Sequence, residues 1–205
     1  MASPPTFDRF RPHPWHGLPV GEHAPEVVNV YVEMTPSDWI KYEIDKETGF
    51  LIVDRPRQFS SQLPTAYGFI PQTYCGNRVG ALSDEVEDGD LDPLDICVIS
   101  ECPIDRADIL LSARIVGGLH MIDGGEADDK IVAILEGDFV WDKVRDIDEL
   151  PTAMVERIRH YFLTYKMDPG EPGTKEVRID TIYGASQAHE VLQASVDDYR
   201  ELMQK

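Results

Sequence analysis

The chain has 205 residues, of which 42% are hydrophobic, and a formal net charge of −19. That length and apolar content can bury one sizeable core, while so acidic a surface repels phosphate backbones and argues against nucleic-acid and anionic-membrane partners. Three cysteines without C-x-x-C spacing, no basic-then-apolar leader and no apolar run of about 18 residues give the expectation of a soluble, cytoplasmic protein without a disulfide framework.

Residues 1–25 hold six prolines, at positions 4, 5, 12, 14, 19 and 25, and read as an extended N-terminal arm ahead of a single domain over 26–205. His13, Trp15, His16 and His23 on that arm read as aromatic packing against the domain or a neighbouring subunit, with a histidine metal site as the alternative. Val28, Val30 and Val32 alternate with Asn29, Tyr31 and Glu33, the period-two signature of a half-buried strand. The segments 42–45 and 50–54 flank Lys46-Glu47-Thr48-Gly49 and predict a hairpin. Apolar runs at 94–99, 109–116 and 130–135 add further strands, and five or more in succession predict a small closed barrel. The period then changes to that of a helix over 148–165, with Leu150, Met154, Val155, Ile158, Tyr161, Phe162 and Tyr165 on one face and Pro151 near the first turn. A Pro- and Gly-rich loop over 167–175 leads to a second helix over about 186–203, with Ala188, Leu192, Tyr199 and Leu202 facing inward. The predicted architecture is α+β, a barrel with helices packed outside.

The stretch Asp88-Gly89-Asp90-Leu91-Asp92-Pro93-Leu94-Asp95 places four carboxylates in eight residues, directly before an apolar strand. Carboxylates that close repel one another unless a cation sits among them. Pro93 opposes a helix, and an extended segment would put Asp90 and Asp92 on one face, with Asp95 turned inward at the start of the next strand. Such a set of hard oxygens suits Mg²⁺ or Mn²⁺ better than zinc. An EF-hand is excluded, because counting from Asp88 puts Pro93 where glycine is needed and Ile99 where glutamate is needed.

Cationic residues recur beside acids along the strands. Lys41 precedes Glu43 by two residues, Arg55 closes the hairpin strand, Asp123 and Asp128 flank Gly124-Gly125 with Lys130 at the next same-face position, and Tyr165-Lys166 closes the helix. Repeated in several strands, this is the pattern of a metal and anion site assembled from different parts of a barrel.

The run Asp90-Leu91-Asp92-Pro93-Leu94-Asp95 resembles the Asp-x-Asp-Pro-x-Asp signature of the family I soluble inorganic pyrophosphatases. Further similar blocks are Ile40 through Lys46, Val53-Asp54-Arg55, Tyr67 through Pro71, Asp123 through Lys130, and His160-Tyr161-Phe162 with Tyr165-Lys166, all in the family's order from about 27 to 166. The resemblance implies an OB-like five-stranded barrel and Mg²⁺-dependent hydrolysis of pyrophosphate to two phosphates by a metal-activated water, with several ions in the site and Mn²⁺ as a substitute. It implies metal ligands at Asp90, Asp95, Asp123, Asp128 and Glu43, with Glu33 acting through coordinated water. It places phosphate binding at Lys41, Arg55, Tyr67, Lys130, Tyr165 and Lys166, and the general base at Asp92. A homo-oligomer is the family expectation.

Departures from the family pattern are Leu63 in place of a second tyrosine, a longer and acidic 76–89 segment, and the Pro-rich arm with its His13-Pro14-Trp15-His16-Gly17 run. Two competing functions can be set against the resemblance. A broader phosphoester hydrolase would use the same acids, but no G-x-x-x-x-G-K-[ST] loop is present. A non-catalytic metal-binding descendant is opposed by the complete set of acids.

Overall fold

The computed structural model describes residues 11–56, 60–83, 86, 88–166 and 177–204. Strand β1 (Val27–Met34) is followed by the hairpin of β2 (Ile40–Ile44) and β3 (Leu51–Pro56), then β4 (Ala66–Phe69), a one-turn helix α1 (Asn77–Gly80) and β5 (Asp95–Ile99). The long β6 (Ile109–Asp123), the short β7 (Glu126–Ala127) and β8 (Lys130–Leu135) come next, before α2 (Thr152–Thr164), β9 (Val177–Gly184) and α3 (Ala185–Leu202).

Seven strands share one mixed sheet in the order β1-β4-β5-β8-β6-β7, with β9 on β6 and a further pairing of β1 with β6. One edge of β6 takes β1 over its first half and β9 over its second; the other takes β8 and then β7. The pairing of β5 with β8 is parallel and the others are antiparallel.

The expected five-stranded OB-like barrel is corrected. The hydrogen-bonded unit is a seven-stranded mixed sheet, and β2–β3, counted among the barrel strands, forms a two-stranded sheet of its own. The α+β class stands, but β4 and β9 were not foreseen as strands. β4 is a four-residue segment around Gly68 with no alternation to read, and β9 alternates too weakly because its period breaks at the adjacent polar residues Asp180 and Thr181.

β5 and β8 read as continuous apolar runs because both of their faces are covered. Ile96, Val98, Ile131 and Ala133 join a core with Val28, Val30 and the α3 residues Ala188, Val191 and Leu192. Cys97, Ile99, Val132 and Ile134 face the opposite core, which contains Val155, Ile158 and Phe162 of α2. Residues 14–18 form turns, and Trp15 is buried, donates from Nε1 to the Thr73 carbonyl at 2.7 Å and lies against Tyr199. His16 Nδ1 is 2.9 Å from the Tyr199 hydroxyl, and the His13 and His16 rings stack. The connection expected over 167–175, the first two prolines of the arm and part of the acidic 76–89 segment lie outside the described residues. Among the described residues no helix is long and apolar enough to cross a membrane.

Candidate active site

The acids meet where β5 and β8 begin. In the parallel pairing of these strands Asp95 is the register partner of Lys130, so the first residue of each strand opens onto the same end of the sheet. Residues 88–90 run beside Ala127: the Ala127 amide donates to the Asp88 carbonyl at 3.1 Å, and the Asp90 amide donates to the Ala127 carbonyl at 3.2 Å. That bridge sets Asp90 beside Asp128, and the carboxylate oxygens of Asp90, Asp95 and Asp128 lie within 4.8 Å of one another. The extended conformation expected through the acidic run is replaced by a turn. Leu91 has φ of 63°, a left-handed conformation unusual for leucine, and the Asp92 amide donates to Asp90 Oδ1 at 3.1 Å. The turn separates the acids, so Asp92 stands apart from the three-carboxylate cluster and accepts from Lys46 of the β2–β3 turn.

The electrostatics follow from burial. Asp90 is pushed up to about 9 by burial and by the neighbouring charge of Asp128. A carboxyl there holds a proton at neutral pH unless a cation takes the proton's place, so the donor set fits a hard divalent ion. Lys130, only 3% exposed, donates to both Asp95 and Asp128. Burial lowers its affinity for a proton, but those two charges more than offset this and hold the ammonium firmly. The Tyr67 hydroxyl donates to Asp95 at 2.5 Å, and burial followed by the charge of Asp95 pushes the phenol up. Asp123 accepts from Lys166 through one oxygen, while its other oxygen is buried with no hydrogen-bond partner among the described residues.

A cavity of about 480 Å³ collects these groups. Of the sequence-predicted residues, Asp90, Asp92, Asp95, Asp123, Asp128, Lys41, Arg55, Tyr67, Lys130, Tyr165 and Lys166 line it, drawn from six strands, the turn before β5, the link between β7 and β8, and the end of α2. Glu33 and Glu43 do not. Glu33 is buried, accepts the Ile44 amide at 2.7 Å and is pushed up to about 8 by burial and then by Asp95. Glu43 is paired with Lys41 at 2.8 Å.

Sequence reasoning assigned no role to Asp54, which lies 2.8 Å from Lys41 and 2.7 Å from Arg55 and holds both cations in place. The hairpin register, which sets Lys41 opposite Arg55, was the available signal. Glu126, Met34, Tyr161 and Phe162 also line the cavity without having been singled out for it. Four cationic side chains and six carboxylates face the space, so a polyanion enters only together with added cations.

The inorganic pyrophosphatase family model matches residues 30–200 of this chain. The chain belongs to the inorganic pyrophosphatase family. An inorganic pyrophosphatase of Chlamydia caviae is 46% identical over 197 residues, covering 91% of this chain and 90% of that protein. The soluble inorganic pyrophosphatase 1 of Arabidopsis thaliana is 39% identical, covering 92% and 81%. The crystal structure of the Thermus thermophilus inorganic pyrophosphatase superposes with a TM-score of 0.76 at 32% identity, covering 89% of this chain and 97% of that one. The type I inorganic pyrophosphatase of Toxoplasma gondii gives 0.79 at 27% identity, covering 94% and 89%. This pyrophosphatase is a hydrolase that splits pyrophosphate by metal-activated hydrolysis, and the Asp90–Asp95–Asp128 cluster is suited to a divalent cation.

Proposed function

We propose that Asp90, Asp95 and Asp128 hold the principal Mg²⁺ of this pyrophosphatase, with Mn²⁺ able to replace it, and that Asp123, Glu43 and Glu33 serve further ions. The observation that carries the reading is the three-carboxylate cluster in a cavity that Lys41, Arg55 and Lys166 also line. The Asp123 oxygen that has no hydrogen-bond partner among the described residues supports a second ion position. When bound, the cations lower the pKa of water and neutralise phosphoryl oxygens.

The remaining work falls to side chains. Lys41, Arg55, Lys130 and Lys166 bind phosphoryl oxygens as point charges or forks, and Tyr67 and Tyr165 donate hydroxyls. Burial, and secondarily the charge of Asp95, keeps Tyr67 protonated, as a donor must be. Asp92 accepts the proton of the attacking water. Its pairing with Lys46 and its place in the cavity lining support that role, because the ammonium holds the carboxylate at the cavity. The enzyme acts in the cytoplasm as a homo-oligomer, with a catalytic domain over 26–205 and residues 1–25 as an arm.

The experiment is phosphate release from pyrophosphate with Mg²⁺ and with EDTA, using ATP and a simple phosphate ester as comparison substrates. Release confined to pyrophosphate and abolished by EDTA supports the reading; comparable release from ATP overturns the narrow specificity. Asp92→Asn is expected to lower kcat by roughly 100-fold or more with metal affinity kept. An unchanged kcat removes Asp92 from the role.

A further inference from the structure

Behind the carboxylate cluster lies a second set of polar groups that the reaction itself does not use. Asp129 stands between Asp128 and Lys130, and alternation along the chain sends it to the opposite side from them. It is 4% exposed. A carboxylate so far from water survives only with partners, and Asp129 has two. The Tyr183 hydroxyl, from β9, donates to Oδ1 at 2.6 Å, and His120 Nδ1, from β6, is 3.0 Å from Oδ2. The Tyr183 ring reaches Asp129 across Gly118, where any Cβ would fall 2.5 Å from the ring. His120 continues the chain, with Nε2 3.2 Å from the Ser83 hydroxyl.

Ser83 belongs to the 76–89 segment that leads to Asp90. The relay Ser83–His120–Asp129 therefore joins the two stretches of chain that bring Asp90 and Asp128 together. It acts beside the backbone bridge at Ala127 and on the side away from the cavity. None of Ser83, His120, Asp129 and Tyr183 lines that cavity.

We propose that Asp129 is a positioning residue. Held by Tyr183 and His120, it fixes the turn from which Asp128 and Lys130 project, and through His120 and Ser83 it sets how closely Asp90 approaches Asp128. Partners behind metal ligands tune affinity by fixing ligand geometry, because a site that must rearrange to close on its ion loses part of the binding free energy.

This inference rests on Asp90, Asp95 and Asp128 being metal ligands, and the test separates the two ideas. Mg²⁺ binding is measured directly by calorimetry on the full-length wild type and on Ser83→Ala, His120→Ala, His120→Asn and Asp129→Asn. Melting in EDTA and the Mg²⁺ dependence of kcat are recorded alongside. His120→Ala and Asp129→Asn are expected to weaken Mg²⁺ binding by about 10-fold, the low end for outer-shell partners of a metal site. Ser83→Ala acts in the same direction with a smaller effect. His120→Asn, whose amide can still reach Asp129, recovers part of the affinity. Saturating Mg²⁺ restores kcat to near wild type in each variant.

A residue with only a structural role would lower the EDTA melting temperature and leave the Mg²⁺ dissociation constant alone. That outcome, or unchanged affinity in all four variants, overturns the proposal. Wild-type protein that binds no Mg²⁺ overturns the ligand assignment instead.

Discussion

Asp198, near the end of α3, is 5% exposed and is bound to the start of α1. Its carboxylate accepts the amides of Gly76 at 3.1 Å, Arg78 at 3.0 Å and Val79 at 3.2 Å. It caps a helix whose own preceding residue, Gly76, has no side chain to do so. Asp198→Ala leaves three amides without an acceptor. Each costs roughly 1–3 kcal/mol if water cannot reach it. The Arg78 side chain is half exposed and is left out of the sum. With water replacing part of the loss, a destabilisation of about 3–5 kcal/mol is expected, comparable with the larger single-site effects. For a domain of this size, a fall in Tm of about 2–4 °C per kcal/mol makes the expected drop roughly 6–20 °C. Circular-dichroism melts in EDTA measure it, with Asp198→Asn, which keeps one acceptor oxygen, expected to fall between. A drop below about 3 °C would refute the reasoning, because it would mean that water satisfies all three amides as well as the carboxylate does.

Gly68→Ala would place a Cβ 1.9 Å from the Tyr31 carbonyl oxygen across the β1–β4 pairing, which only a shift of one strand can relieve. A loss of about 4 kcal/mol or more is expected, and a wild-type melting curve would show that the two strands separate easily. Mg²⁺ at a hundred times its dissociation constant is expected to stabilise the protein by about 2.7 kcal/mol over EDTA. The matching rise in Tm of roughly 5–11 °C is read by the same melts, and no rise would deny a preformed cation site. His120 is raised above its ordinary value of 6.5, chiefly by its hydrogen bond to Asp129; burial opposes this, and Asp180 and Arg178 add opposing charge effects. A raised folded-state pKa adds stability that is complete below the unfolded value and is lost as pH rises through the folded one. The advantage of wild type over His120→Gln should therefore be full below about pH 6.5 and shrink above it. Melting both proteins in EDTA from pH 5 to about 9 checks this, and a difference that grows with pH contradicts the sign.

What could be read from the sequence was local. Asp90, Asp92 and Asp95 are neighbours along the chain, so they share one region of the fold, even though Leu91 turns where an extended segment was expected and sets Asp92 apart from the other two. The helices were legible because α2 and α3 each press one face on a core; α3 falls within one residue of its predicted bounds and α2 within four. The sheet was harder to read. β6 partners four strands along its two edges, and no local pattern states which segment lies on which edge. The hairpin period of β2–β3 was correct, yet nothing in it distinguishes a strand of the main sheet from a strand of a separate one. Asp54 and Asp129 went unread for a related reason. Each sits next to a predicted residue and also acts through a partner on a separate strand, Lys41 for Asp54 and Tyr183 for Asp129.

The cap on α1 also orders events in time. The amide of Arg78 and the carboxylate that receives it are 120 positions apart, so α1 and the stretch leading from it to Asp90 stay uncapped until α3 has been made. At ordinary elongation rates that interval is roughly 6–24 s. A nascent chain carries its acidic run long before it can fix it, and hydrolysis is expected to begin only once α3 has been made. Ribosome-bound fragments ending before α3 should therefore not consume pyrophosphate, whatever motifs they already contain.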